Sequence, residues 1–364
     1  MTSQPFQSVI VGSGSYLPTQ RLSNQDFAGN TFLDEDGNPF DKTGAEIAGR
    51  FGQITDIHER RYVKDSMMSS DMATLAAENA LSSSGIDPET LDYLIVAQNW
   101  GDVRHDNPQA DQVPNIAARI KHNLGIENPF CVAYDIAFGC PGWVQAVIQA
   151  NYYLKSGDAK RIMVIGSETL SRVIDPHDRD CMLYADGAGA VILERQDAQE
   201  EPAGIMTHVA RSDTKEYAWM LWQQESFNKD YGKKDLFLKM HGRKLYKYAL
   251  RHVPEALKAC IEKSGLHLKD IDKLLIHQAN AKMDEAILDR LFKLYDMEGQ
   301  AKPCMMPLTV KFLGNSSVAT VPTVYDLMVK GKLDGQSIKP GQTLLFASVG
   351  AGMHINAFTY KVPS

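Results

Sequence analysis

The stretch Asp135-Ile136-Ala137-Phe138-Gly139-Cys140-Pro141-Gly142-Trp143 sets one thiol where a nucleophile can be made. Attack by sulfur on a carbonyl carbon needs a thiolate and donors for the oxyanion that forms, and a helix N-terminus offers unpaired N–H groups for both. Phe130-Cys131-Val132-Ala133-Tyr134 reads as a buried strand, and Val144, Val147, Ile148 and Tyr152 recur at helical spacing. Pro141 suits a first helical position, where its missing N–H has no partner to lose. Cys140 is therefore expected at or beside a helix start, in a setting that favours the thiolate. Gly139 and Gly142 leave room for a substrate to approach the backbone. Most free cysteines are small buried hydrophobes, so the turn alone leaves catalysis undecided.

A repeat supplies two further candidates. Laid on itself, the chain places Ser84, Gly85, Asp92, Leu94 and Gln98 on Ser264, Gly265, Asp272, Leu274 and Gln278 without a gap. Phe138-Gly139-Cys140 is then echoed by Leu313-Gly314-Asn315, and Asp186-Gly187-Ala188-Gly189-Ala190 by Val349-Gly350-Ala351-Gly352. The division expected is 1–195, carrying the Cys, and 196–364, carrying a His and an Asn. Where the first copy has Ala97 the second has His277, and where the first has Cys140 the second has Asn315. A pseudo-twofold arrangement brings equivalent strand ends together, so Cys140, His277 and Asn315 are expected in one pocket. Taken singly, His277 reads as a satisfied structural group and Gly-Asn-Ser as a helix cap.

The elements that must position these residues mix strands and helices. Ser8-Val9-Ile10-Val11 with Gly12-Ser13-Gly14 reads as a first strand and turn, and residues 30–42 as a loop. Ser70-Asp71 is expected to cap a helix running to Ala80, Leu94-Ile95-Val96-Ala97 to form the next strand, and residues 99–114 to make a polar excursion near the site. The chain has 364 residues, 44% of them hydrophobic, enough for two cores. No apolar run approaches the roughly 20 residues that span a bilayer, and Met1-Thr2-Ser3-Gln4-Pro5 lacks a signal-peptide pattern, so a cytoplasmic chain is expected. Five scattered cysteines without a C-x-x-C pair suggest neither disulfides nor zinc. A net charge of −7 argues against nucleic acid. One region departs from that balance: Lys229, Lys233, Lys234, Lys239, Arg243, Lys244, Lys247 and Arg251 face only Asp230 and Asp235, a solvated helix face or a dock for an acidic partner.

Together, Cys140 with Gly142, His277-Gln278-Ala279-Asn280, Gly314-Asn315-Ser316-Ser317, Asp186-Gly187-Ala188-Gly189-Ala190 and Gly350-Ala351-Gly352 resemble the β-ketoacyl-acyl-carrier-protein synthase III group of the thiolase superfamily over nearly the whole chain. The resemblance implies an α/β, duplicated thiolase fold, five-layered α-β-α-β-α, a homodimer, and a Cys-His-Asn site where the halves meet. It implies an acyltransferase of fatty-acid or polyketide-like biosynthesis that needs no cofactor beyond acyl-CoA or acyl-carrier protein as substrate. Arg50 falls where many relatives place a Trp against the adenine of CoA, while Arg179 keeps the family's Arg. Arg243 and Asn280 are taken as further substrate-binding positions. Val113 and Val349 replace phenylalanines of the acyl pocket, implying a longer or bulkier acyl group. Lys247 and Lys282 match cations that dock the acidic carrier protein.

The implied chemistry is a Claisen condensation. Cys140 takes the acyl group, the amides of Cys140 and Ala351 hold the oxyanion, and His277 and Asn315 bind the thioester oxygen of a malonyl or β-ketoacyl acceptor. Alternatives are a ketosynthase that joins two β-ketoacyl thioesters and closes a resorcinol-type ring, a non-catalytic partner subunit, which would be expected to lose Cys140, and a papain-like hydrolase, which gives no reason for the duplication.

Overall fold

Two mixed sheets, related strand for strand, frame the molecule in a computed structural model that describes residues 6–198, 201 and 203–364; the opening Met1-Thr2-Ser3-Gln4-Pro5 lies outside them. The first sheet has the order β1 (Phe6–Tyr16), β5 (Asp186–Asp197), β4 (Arg161–Thr169), β2 (Tyr93–Ala97), β3 (Val132–Ile136). The second has β6 (Gly204–Ser212), β9 (His354–Lys361), β8 (Thr343–Gly350), β7 (Lys273–Ile276). From the β1 and β6 edges inward, each runs antiparallel, antiparallel, then parallel, and the first adds β3 parallel to β2. The repeat reaches individual hydrogen bonds. Asp92 Oδ2 accepts the Arg161 N–H at 2.9 Å, and Asp272 Oδ2 accepts the Thr343 N–H at 2.9 Å. Gly85 and Gly265 both end helices in the left-handed region, at φ 67° and 74°, where a side chain would be strained.

Five layers follow from which faces are apolar. Helices α3 (Gly142–Ser156) and α6 (Thr320–Val329) lie between the sheets, where Val144, Val147, Val321 and Val324 pack against Ile95, Val164 and Leu193 of one sheet and Leu344, Phe346 and Phe358 of the other. A helix buried on both sides is largely apolar all round, and α6 reads Thr-Val-Pro-Thr-Val-Tyr-Asp-Leu-Met-Val, its one buried charge, Asp326, held by Ser13, Ser15 and Lys330. Helices α1 (Ser69–Ser84) and α2 (Ile116–Asn123) cover the outer face of the first sheet, and α4 (Gly242–Lys263) and α5 (Ala281–Lys293) that of the second. The alternation of α1/α2, sheet, α3/α6, sheet, α4/α5 is the five-layered α/β thiolase fold.

The local departures from expectation have packing causes. β1 does not turn at Gly12-Ser13-Gly14 but runs through them, because α1 lies on the strand so closely that a Cβ on Gly14 would sit 2.1 Å from the Ala76 carbonyl oxygen. The expected buried strand 130–134 is shifted to Val132–Ile136 and is an open edge, with Phe130 84% and Val132 48% exposed. α1 starts at Ser69, ahead of Ser70-Asp71, and Asp71 accepts the Met68 N–H from within the first turn. α3 starts at Gly142, so Pro141 is its cap rather than its first residue. The excursion 99–114 forms a hairpin of Asp102–Arg104 and Asn107–Asp111, closed by Arg119 on Asp102 and Asp111 at 2.8 and 2.6 Å.

One buried ion cluster fixes the wall that faces the site. Lys239, on the short strand Phe237–Met240, is buried with its Nζ 2.6 Å from Asp175 and 3.4 Å from Asp178, over the Phe227 ring at 3.3 Å. It holds the segment leading to Arg179. Removing one partner of a buried pair leaves charge without compensation, so Lys239→Ala should cost about 3–5 kcal/mol of stability. Urea unfolding measures this, and an unchanged midpoint would mean that water reaches the carboxylates.

Candidate active site

A cavity of about 1110 Å³ opens where the ends of the two sheets meet, and Cys140, His277, Asn280, Asn315, Ser317, Val349 and Ala351 all line it. The turn that carries Cys140 is shaped by glycine. Gly139 has φ +64°, and a Cβ there would lie 2.9 Å from the Ala351 nitrogen. Across the contact, a Cβ on Gly350 would lie 2.7 Å from the Cys140 nitrogen. The N–H groups of Cys140 and Ala351 thus come together only because both neighbours lack side chains. Among the described residues neither N–H is engaged in a turn, loop or side-chain hydrogen bond. The turn is anchored from the other side by Asn99, whose Oδ1 accepts the Gly139 N–H at 2.9 Å and whose Nδ2 donates to Glu168 at 2.7 Å.

His277 and Asn315 come from the second half. His277 follows β7, its N–H donating to Ala347 at 2.8 Å. Its Nδ1 is buried without a hydrogen-bond partner, and the ring lines the cavity. Asn315 is pinned into the first half by its own backbone: its N–H donates to Leu183 at 2.9 Å, and its carbonyl accepts from Ala185 at 2.8 Å. Its Oδ1 accepts the Ser317 N–H at 2.9 Å, which assigns the amide and leaves Nδ2 as a free donor. Ser317 Oγ donates to the Cys140 sulfur at 3.3 Å.

The electrostatics differ from the expectation of a favoured thiolate. Burial pushes the Cys140 thiol up to about 11, the nearby Glu168 carboxyl adds to the rise, and the Ser317 hydroxyl opposes it. The dipole of α3 does not win, since the helix begins only at Gly142 and desolvation is the larger effect. Burial also lifts Glu168 to about 8, against donors from Asn99 and Trp100. It drives His277 down to about 4, partly offset by a hydrogen bond with the Ser317 backbone. At neutral pH the site therefore holds a thiol and a neutral imidazole.

The other expected positions divide. Val349 and Asn280 line the cavity, Asn280 capping α5 through the Met283 N–H. Arg50, Arg179 and Arg243 lie at its mouth, and the Arg179 guanidinium stacks on Phe40 at 4.9 Å. Lys247 and Lys282 are exposed on α4 and α5 outside the cavity. Val113 departs from the expectation of a pocket wall: it is 88% exposed next to the surface hairpin and is not among the residues that line this cavity. Sequence reasoning passed over Asn99, Glu168 and Tyr184, which reach the site from strand ends and turns. A polar Ser167-Glu168 closing the apolar run of β4 was the signal for one of them.

A duplicated five-layered fold with a thiol from one half and a histidine and an asparagine from the other around a common cavity defines a ketosynthase of the thiolase superfamily. The comparisons agree. The family 3-oxoacyl-[acyl-carrier-protein] synthase III matches residues 134–214, and its C-terminal domain matches 261–362. A β-ketoacyl-[acyl-carrier-protein] synthase III of Vibrio vulnificus is 34% identical over 347 residues, covering 95% of this chain and 96% of its own. The crystal structure of 3-oxoacyl-[acyl-carrier-protein] synthase III from Aquifex aeolicus is similar at TM-score 0.75 and 28% identity, over 97% of this chain and 99% of its own. A priming β-ketosynthase of a polyketide pathway is similar at TM-score 0.79 and 25% identity, over 98% and 97%. The chain belongs to the 3-oxoacyl-[acyl-carrier-protein] synthase III family and is an acyltransferase of the ketosynthase type. Among the described residues no helix is long and apolar enough to cross a membrane.

The depressed His277 has a signed consequence. Between its ordinary value of 6.5 and about 4, the unfolded chain binds a proton that the folded chain refuses, so stability is full above 6.5 and falls as pH drops toward 4. A difference of this size corresponds to about 3 kcal/mol. The wild type should lose about that much more stability than His277→Asn between pH 7 and 4, measured by urea unfolding at each pH. Parallel losses would show that His277 titrates normally.

Proposed function

We propose that this ketosynthase loads an acyl group on Cys140 and condenses it with a malonyl- or β-ketoacyl-carrier-protein thioester held by His277 and Asn315. The observation that carries the reading is the Asn315 amide. With Oδ1 tied to Ser317, its Nδ2 offers the cavity a fixed donor, beside the His277 ring that also lines it. In loading, sulfur attacks the donor carbonyl, the oxyanion is held by the Cys140 and Ala351 amides, and the carrier leaves as a thiol bearing the proton lost by Cys140. In condensation, loss of CO2 from a malonyl acceptor, or of a proton from a β-ketoacyl acceptor, leaves an enolate whose oxygen takes the two donors. Its carbon bonds to the acyl carbon as the bond to Cys140 sulfur breaks. The sulfur leaves as a thiolate that is reprotonated, by solvent in the first case and by the proton lost from the acceptor in the second. Such donors act on charge that exists only near the transition state. The reaction needs no cofactor beyond the thioesters.

Several features support the finer assignments. Lys247 and Lys282, exposed on α4 and α5, with Arg243 and Lys244 at the mouth, make a cationic rim for an acidic carrier protein. Arg179 stacks one guanidinium face on Phe40 and lines the cavity, which leaves both a CoA-bound and a carrier-bound donor open. The open edge of β3 has main-chain groups to pair and apolar side chains to cover, and we read it as the contact of a homodimer. A cytoplasmic location is proposed from the net charge of −7 and from the finding that no helix among the described residues is long and apolar enough to cross a membrane. The cavity exceeds the usual range of about 300–1,000 Å³ for small-molecule sites, which favours a long or bulky acyl group. The same volume gives weight to a second reading, condensation of two β-ketoacyl thioesters with ring closure.

The test separates the two half-reactions. Losing one preorganised donor typically costs on the order of 10²–10³ in rate, so Asn315→Ala should keep acylation and lose condensation by that factor. An amide cannot serve as the base for loading. Condensation at the wild-type rate in this variant would remove the acceptor site as described.

A further inference from the structure

Ser317 stands in the left-handed region at φ 53°, a conformation that suits glycine and strains other residues. It is buried, on the turn Ser317–Ala319 that leads into α6. Three contacts leave from this one residue. Its hydroxyl donates to the Cys140 sulfur, its N–H donates to Asn315 Oδ1, and its backbone lies near enough to the His277 ring to favour that ring's protonated form. Strain kept at a buried position, where glycine would be at ease, points to a task for the side chain. We propose that Ser317 is a catalytic residue, its hydroxyl holding the Cys140 sulfur as a hydrogen-bonded thiolate during acyl loading, while its backbone orients Asn315 and His277 for condensation.

The hydroxyl proton stays on oxygen throughout. In loading, the bond from Cys140 sulfur to the acyl carbon forms as the bond to the carrier sulfur breaks, and the proton lost by Cys140 leaves on the carrier thiol. What Ser317 changes is the charge that sulfur can carry on the way. Without a nearby cation, burial holds the thiol well above its ordinary value, and the hydroxyl is the side-chain group that opposes this. The titratable groups facing the sulfur are Glu168 at the end of β4, Tyr184 before β5 and His277 after β7. None is altered by changing Ser317. Once the acyl group is on sulfur the thiolate is gone, but it re-forms as the leaving group when the enolate carbon displaces it. The hydroxyl therefore serves loading and the departure of sulfur, while the backbone contacts orient the acceptor's donors.

The inference rests on Cys140 being the group acylated, and the test is chosen to read the thiol without acylation. Full-length wild type, Ser317→Ala and Ser317→Gly are alkylated with iodoacetamide over a range of pH, and the modified Cys140 peptide is quantified by mass spectrometry. Hydrogen bonds to charged groups are strong enough that losing one should move the midpoint of the Cys140 profile up by about one pH unit in both variants. Loading at neutral pH should then fall about tenfold, in step with the thiolate fraction. The glycine variant is at ease in the left-handed region and should melt at or above the wild-type temperature. The proposal is overturned if the midpoint stays put in both variants, or if it moves only in a variant that has also lost thermal stability.

Discussion

Everything at the centre of this molecule depends on two backbones being allowed to touch. Gly139 and Gly350 face each other across the junction, and a single Cβ on either would lie inside 3 Å of the opposing main chain. That contact brings the Cys140 and Ala351 amides to one point. It is reinforced by the pairing of Asn315 with Leu183 and Ala185, which stitches the second half into the first. The apolar layer of α3 and α6 supplies the driving force for the halves to join, and the glycines decide how closely they meet. Where larger residues stood, the same hydrophobic core would form around a site too wide to work.

The second constraint is dryness. Burial sets the protonation of every titratable group around the thiol: His277 is neutral, Glu168 is raised to about 8, and the Cys140 thiol is raised to about 11. A dry site of neutral donors is poorly suited to holding charge at rest and well suited to meeting charge that arises in the reaction, because hydrogen bonds in a low dielectric are stronger than in water. The free amides of Cys140 and Ala351 and the free Nδ2 of Asn315 are such donors. Their alignment comes from neighbours that are themselves tied down, Asn99 on Glu168 and Asn315 on Ser317.

The sequence was most legible where one residue repeats a local task. Asp92 and Asp272 each take a main-chain N–H from the next parallel strand, and Gly85 and Gly265 each end a helix. Those tasks are short-range, so they leave the same letters at the same spacing, and the duplicated fold could be read from them. Cys140, His277 and Asn315 were visible as the breaks in that repeat, and they do line one cavity. Contacts set by tertiary packing left no such trace. Gly12 and Gly14 look like a turn and are a strand pressed under a helix; Val113 looks like a pocket wall and is on the surface. Ser317 carries its meaning in a backbone angle, which a sequence does not display, and Glu168 in a partner 69 positions away.

The central claim is that the acyl group passes through Cys140 on its way to the acceptor. The direct measurement is peptide-resolved mass spectrometry of the wild-type protein quenched after incubation with an acyl-carrier-protein thioester, then chased with malonyl-carrier protein. The account predicts one acyl mass on the peptide containing Cys140, absent from the peptides of Cys131, Cys181, Cys260 and Cys304, and lost on the chase as condensed product appears. Condensed product formed at full rate with no acyl group ever found on Cys140 would contradict it.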